Sequence, residues 1–114
     1  MKEAVTVKEN YEFRRMYRKG ISAASPCLVL YCRKNRRGVS RLGVTVSKKL
    51  GHAVVRNRVR RRIREIFRLH KAALAPGYDC IVVGRVRAVS SSYQEMDAQF
   101  CMLAENLGLM AKKS

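Results

Sequence analysis

The chain has 114 residues, enough for one packed core and too few for two. Its hydrophobic fraction of 47% is ordinary for a folded protein and excludes intrinsic disorder. Twenty-five Lys and Arg against eight Asp and Glu give a formal net charge of +17, which calls for a polyanionic partner: nucleic acid first, an anionic membrane surface second.

Residues 6–19, TVKENYEFRRMYRK, carry helical spacing. Thr6 with Glu9 fits a capping box, Gly20 supplies a stop, and Phe13, Met16 and Tyr17 share one side of the wheel. The pattern then changes to strands. CLVLYCR (27–33) is short and apolar between Pro26 and the polar loop KNRRGVS, and RLGVTVSKK (41–49) alternates, with Leu42, Val44 and Val46 facing one way. The Gly-containing loop between them suggests an antiparallel hairpin.

Residues 53–71, AVVRNRVRRRIREIFRLHK, read as a helix of about five turns. APG at 75–77 breaks it, and YDCIVVGR (78–85) is an apolar strand covered on both faces. Ser92 with Glu95 caps a last helix whose stripe is Tyr93, Met96, Phe100, Leu103 and Leu107, and the MAKKS tail is loose. The order α-β-β-α-β-α defines an α+β sandwich of one sheet with helices, a single domain over residues 1–114.

The central helix is the unusual element. Seven arginines occupy the thirteen positions from Arg56 to Arg68. At about 100° per residue, Val55, Val59, Ile63, Ile66 and His70 fall in one arc, with Phe67 at its edge. Opposite stand Asn57, Arg60, Arg61, Arg64 and Arg68 as a continuous row, with Arg56, Arg58 and Arg62 at the borders, where long stems lie on apolar surface. Glu65 is the only acid between Lys48 and Lys71, and it can pair with Arg61. A solvated structural face interleaves signs, whereas this row is nearly of one sign and built of arginine, whose planar fork suits phosphate. It reads as a nucleic-acid surface. Lys48 and Lys49 add charge at the end of a strand, and Gly51 turns the chain into a helix N-terminus that favours phosphate. His52 is a cap, an RNA contact or a turn residue.

Nothing in the chain reads as an active site of its own. The eight acids form no convincing metal-binding pair, since Glu95 and Asp97 at i and i+2 point apart. His52 and His70 stand at opposite ends of the helix, and Cys27, Cys32, Cys80 and Cys101 are scattered and lack a base. Buried, reduced thiols and no metal site are expected. No apolar run approaches the ~20 residues of a membrane span, and the N-terminus lacks an export signal, so a cytoplasmic binding module is the reading.

The stretch LGVTVSKKLGHAVVRNRVRRRIREIFR, Leu42 to Arg68, resembles the signature of the bacterial ribonuclease P protein subunit, K-K-x-G-x-A-V-x-R-N-R-x-(K/R)-R. EFRRMYRKG, CLVLYCR and YDCIVVGR resemble that family's first helix, following strand and last strand. The resemblance implies an αβββαβα-type sandwich with one mixed sheet and a left-handed β-α-β crossover, against the usual hand. It implies a subunit of an endoribonuclease that removes the 5′ leader of precursor tRNA, with catalytic groups and Mg²⁺ held mainly by the partner RNA and no organic cofactor. The partners implied are catalytic RNase P RNA and precursor tRNA, with no membrane and no obligate protein partner.

Arg56, Asn57 and Arg58 match the family's RNA-docking motif, and Phe13, Tyr17 and Tyr31 match aromatics of a cleft that holds the single-stranded leader. By spacing, Phe13 and Tyr17 are one helical turn apart, and Tyr31 shares a strand face with Cys27 and Val29. The alternative is that they are core aromatics, an even choice for Phe13, whereas the hydroxyls of Tyr17 and Tyr31 favour a half-exposed surface. A non-catalytic RNA scaffold and a membrane-surface binder are the competing readings, the latter weakened because the helix needs its apolar stripe for the core.

Overall fold

The computed structural model describes residues 5–6 and 10–111, with side chains from Arg14 onward. The elements in chain order are β1 (Val5–Thr6), α1 (Asn10–Lys19), β2 (Ile21–Ala24), β3 (Leu28–Lys34), β4 (Arg41–Val46), α2 (Ala53–His70), β5 (Tyr78–Gly84) and α3 (Tyr93–Asn106). Short 3₁₀ turns at Lys48–Leu50, Lys71–Ala73 and Val86–Ser90 link them. The fold is α+β, and β1 and β2 add to the three strands expected from hydrophobic patterning.

The strands form one mixed sheet in the order β1-β4-β5-β3-β2. β5 runs antiparallel to β3 and parallel to β4, with Leu42, Cys80 and Cys32 in one cross-sheet row. This corrects the expected hairpin between residues 27–33 and 41–49: β3 and β4 do not pair, because β5 lies between them. β5 is the most continuously apolar strand and is buried at Cys80, Ile81 and Val82, so it takes the position with a neighbour on each side. β4 and β5 are joined through α2 as a β-α-β crossover.

Helix α1 begins at Asn10 because Thr6 belongs to β1, paired with Leu42 of β4. The expected Thr6–Glu9 capping box falls on side chains outside the described residues. The end of the tail, from residue 112, also lies outside them. The stop at Gly20 has a steric origin. A Cβ there would stand 2.7 Å from the Met16 carbonyl oxygen and 2.9 Å from that of Cys32, so only glycine lets α1 end against β3.

One face of the sheet carries Leu28, Leu30, Cys32, Leu42, Val46, Cys80 and Val82 into the main core. Helices α2 and α3 close it with Val59, Ile63, Ile66 and Phe67 from the first and Met96, Phe100 and Leu103 from the second. Phe67, placed at the edge of the stripe by the wheel, is fully buried and meets Phe100 edge-on. The capping box on α3 forms in both directions: Glu95 N–H donates to Ser92 Oγ and Ser92 N–H donates to Glu95 Oε1.

Candidate nucleic-acid interface

Two surfaces flank this core. The first is the outer side of α2. The strand before it ends at Val46, so Lys48 and Lys49 sit in a 3₁₀ turn rather than at a strand end, both exposed, with Ser47 Oγ accepting from Lys49 N–H. Gly51 follows at φ 131°, a conformation that side chains disfavour, and redirects the chain into α2. His52 occupies the N-cap position, but its side chain makes no capping bond, which removes one of its three possible roles. No acid stands in the first turn, so the helix opens with a full positive dipole.

Asn57, Arg58, Arg61, Arg64 and Arg68 are exposed, Arg60 and Arg56 half-buried, and the opposite stripe of Val59, Ile63, Ile66 and Phe67 is buried. Arg60 donates to Asn57 Oδ1 at 2.8 Å, which holds both side chains in the row. Glu65 pairs at 3.2 Å with Arg68, one turn ahead of it, and not with Arg61, one turn behind, as expected. Among the described residues, Lys48, Lys49, Arg56, Arg58, Arg60, Arg61 and Arg64 form no ion pair. Arg56 Nε is buried with no hydrogen-bond partner there. Arg62 differs from the row: it donates to the Ser91 carbonyl at 3.1 Å and ties α2 to the turn before α3.

The second surface is the other face of the sheet, which α1 covers only in part. Met16 is buried against it, and Tyr17 remains 43% exposed. Tyr17 and Tyr31 meet edge-on with ring centroids 4.8 Å apart, and the Tyr17 hydroxyl lies 3.4 Å from Thr45 Oγ1 across the sheet. Phe13 falls within α1, but its side chain lies outside the described residues. Cys27 does not share this face with Tyr31 and Val29, as strand alternation suggested. The chain turns at Ser25, where Ser25 N–H donates to the Leu28 carbonyl, β3 starts only at Leu28, and Cys27 enters the core with Sγ 2.8 Å from Ser91 Oγ.

At one end of this face is a pocket of about 530 Å³ lined by Arg15, Arg33, Arg36, Arg37, Arg41 and Asp79 among others. Asp79 organises it, accepting from Arg41 Nε at 2.8 Å, Arg41 Nη2 at 2.6 Å and Asn35 Nδ2 at 2.8 Å. Burial pushes the Asp79 carboxyl up, but the hydrogen bonds from Arg41 and Asn35 and the charges of Arg41 and Arg37 outweigh it and hold the group below its ordinary value. Sequence patterning missed this pocket because it joins α1, the β3–β4 loop and β5; the density of Arg in residues 33–41 was the one available signal.

The structure also brings together residues that patterning left apart. His70, at the end of α2, lies 2.5 Å from Asp97 Oδ1 and 3.4 Å from Cys101 Sγ, so Cys101 does have a base beside it. Cys27, Cys32 and Cys80 are buried, and burial raises the Cys32 thiol to about 11.

The fold and the two surfaces define a small, strongly basic α+β sandwich with an arginine helix on one side and a half-open aromatic sheet face on the other, and known proteins share it. The family model for Ribonuclease P matches residues 1–108. The Ribonuclease P protein component of Natranaerobius thermophilus is 39% identical over 98% of this chain and 97% of its own length. The solved RNase P protein of Staphylococcus aureus superposes with a TM-score of 0.86 at 35% identity, covering 95% of this chain and 99% of that one. That of Thermotoga maritima gives 0.81 at 28% identity, covering 89% and 96%. The chain belongs to the ribonuclease P protein family. Among the described residues no helix is long and apolar enough to cross a membrane.

Proposed function

We propose that this chain is the protein subunit of a ribonuclease P holoenzyme, acting with its RNA in the 5′ maturation of tRNA in the cytoplasm. The basic row of α2, with Lys48 and Lys49 before it, docks on the catalytic RNA. The observation that carries this reading is that row itself: five arginines without an ion pair among the described residues, on a helix whose other side is committed to the core, with Lys48 and Lys49 equally unpaired just before it. Its phosphate-facing guanidiniums would be neutralised on docking, with release of counterions.

The single-stranded leader of precursor tRNA lies on the open sheet face, with bases against Tyr17 and Tyr31, and with Phe13 on the same helix. Aromatic platforms beside a basic groove suit unpaired bases, which offer a flat face whatever their sequence. The arginine pocket at the end of that face would take backbone phosphates.

Cleavage in such a holoenzyme would depend on Mg²⁺, and among the described residues the acids do not fit a site for it. Mg²⁺ needs clustered oxygen ligands. Asp79 is engaged by Arg41 and Asn35, Glu65 by Arg68, Glu95 by the α3 cap and Asp97 by His70. In this reading the ion and the catalytic groups belong to the RNA, and this chain binds and orients. Reconstitution tests the reading. The protein alone should leave precursor tRNA uncut; added to cognate RNase P RNA it should lower the Mg²⁺ requirement and tighten binding of leader-bearing substrate. Unchanged Mg²⁺ dependence and substrate affinity would refute it and favour a non-catalytic RNA scaffold.

A further inference from the structure

The geometry points to a transition-metal site, zinc(II) by preference, formed by His70 of α2 with Asp97 and Cys101 of α3. Asp97 and Cys101 are four residues apart and so lie one turn apart on one side of α3, facing the end of α2. The His70 nitrogen, Asp97 oxygen and Cys101 sulfur all lie within 4.8 Å of one another, and all three residues are half-buried. Around a tetrahedral ion with bonds of ~2.0–2.3 Å, ligand atoms stand roughly 3.3–3.6 Å apart. The Cys101–His70 separation of 3.4 Å already meets that spacing. Asp97, 2.5 Å from His70 and within 4.8 Å of Cys101, needs to swing about 1 Å away from the ring and toward the sulfur to complete the triangle.

Further features suit a cation here. The His70 ring lies nearly parallel to Phe100, at 21° with centroids 6.1 Å apart, which fixes the plane that aims Nε2 at the other two donors. The surroundings are locally acidic in a chain of strong positive charge. Burial, Asp97 and Glu65 together hold the Tyr93 phenol above its ordinary value, with Arg68 opposing. One nitrogen, one oxygen and one sulfur favour a borderline first-row ion over Mg²⁺ or Ca²⁺. Binding displaces the His70–Asp97 hydrogen bond and releases the Cys101 thiol proton to solvent. Three protein ligands at a half-exposed position leave the fourth to water. The ion would fasten the end of the arginine helix to α3, independently of whether that helix docks on RNA.

Cobalt(II) is the probe, added to the reduced, chelator-treated full chain. One equivalent should produce a near-ultraviolet thiolate-to-cobalt charge-transfer band with tetrahedral visible absorption, both removed by excess zinc. Cys101→Ser should lose the charge-transfer band while keeping its far-ultraviolet circular dichroism, and Asp97→Asn should weaken binding. No band, or a band of equal strength in Cys101→Ser, overturns the proposal and leaves a hydrogen-bonded helix joint. Should Cys101→Ser fail to fold, the unmodified chain decides: zinc should slow alkylation of Cys101 by iodoacetamide, and an unchanged rate overturns the site.

Discussion

Tyr17 stands edge-on to Tyr31, centroids 4.8 Å apart and planes at 78°, so α1 and β3 present one continuous aromatic surface to solvent. Each ring holds the other in place, and neither is sealed in the core. Replacing either with Ala should weaken binding of leader-bearing precursor tRNA to the reconstituted holoenzyme by about 1–3 kcal/mol, the usual worth of a base on an aromatic platform. Leaderless tRNA should bind unchanged. Equal losses for both substrates would show that the rings act on folding rather than on the leader.

The outer row of α2 makes a separate prediction about salt. Arg61→Ala and Arg64→Ala remove exposed cations without touching the buried stripe. Each should reduce the slope of log affinity for RNase P RNA against log salt by roughly 0.7–0.9 for every phosphate that is no longer neutralised. Arg62→Ala should act differently, lowering thermal stability because the Ser91 carbonyl forfeits its donor. A salt titration of each variant distinguishes the two behaviours.

Asp79 supports a stability prediction. Asp79→Ala would remove from Arg41, itself only 7% exposed, the carboxylate that accepts from both its Nε and its Nη2, and should lower the midpoint of chemical denaturation. Because the folded carboxyl is held below its ordinary value, its contribution is complete above the unfolded pKa of about 3.9 and is lost as pH falls through the lower folded value. The wild-type chain should therefore lose stability below about pH 4 more steeply than Asp79→Asn.

At Gly20 the close approach of two carbonyl oxygens leaves no space for a methyl group. Gly20→Ala should destabilise by about 1–3 kcal/mol, read as a lower denaturation midpoint. A neutral result would mean that α1 ends elsewhere.

A thiol count tests the burial of the cysteines. A colorimetric disulfide reagent should react quickly with Cys101 in the native chain, while Cys27, Cys32 and Cys80 wait for denaturant. Fast reaction of more than one thiol would contradict the packing of β3 and β5.

How legible these features were depends on how far apart in the chain their partners lie. The two faces of α2 follow from residues three and four apart, so the periodicity of Val59, Ile63 and Ile66 against Arg60, Arg61 and Arg64 announced them. The Ser92–Glu95 cap is equally local. β2 escaped notice because ISAA is a four-residue edge strand, mostly exposed and too short to show an alternation. The false hairpin arose because a short loop between two strands ordinarily pairs them, and the demand of β5 for two neighbours lies some forty residues downstream of that loop. His70, Asp97 and Cys101 are separated by up to 31 residues and meet only through the docking of α2 on α3, which no spacing rule encodes.

The position of β5 has a consequence for how the chain reaches this structure. It is the last strand in sequence and the central one in space. Until residues 78–84 leave the ribosome, β3 and β4 each keep an unpaired edge toward the gap between them, and the arginine helix has only part of a sheet to rest on. The nascent chain keeps both edges open until β5 emerges, and a single late insertion then closes both halves of the sheet. A chain truncated before Tyr78 would have no sheet centre, and its arginines would have no scaffold to hold them in a row.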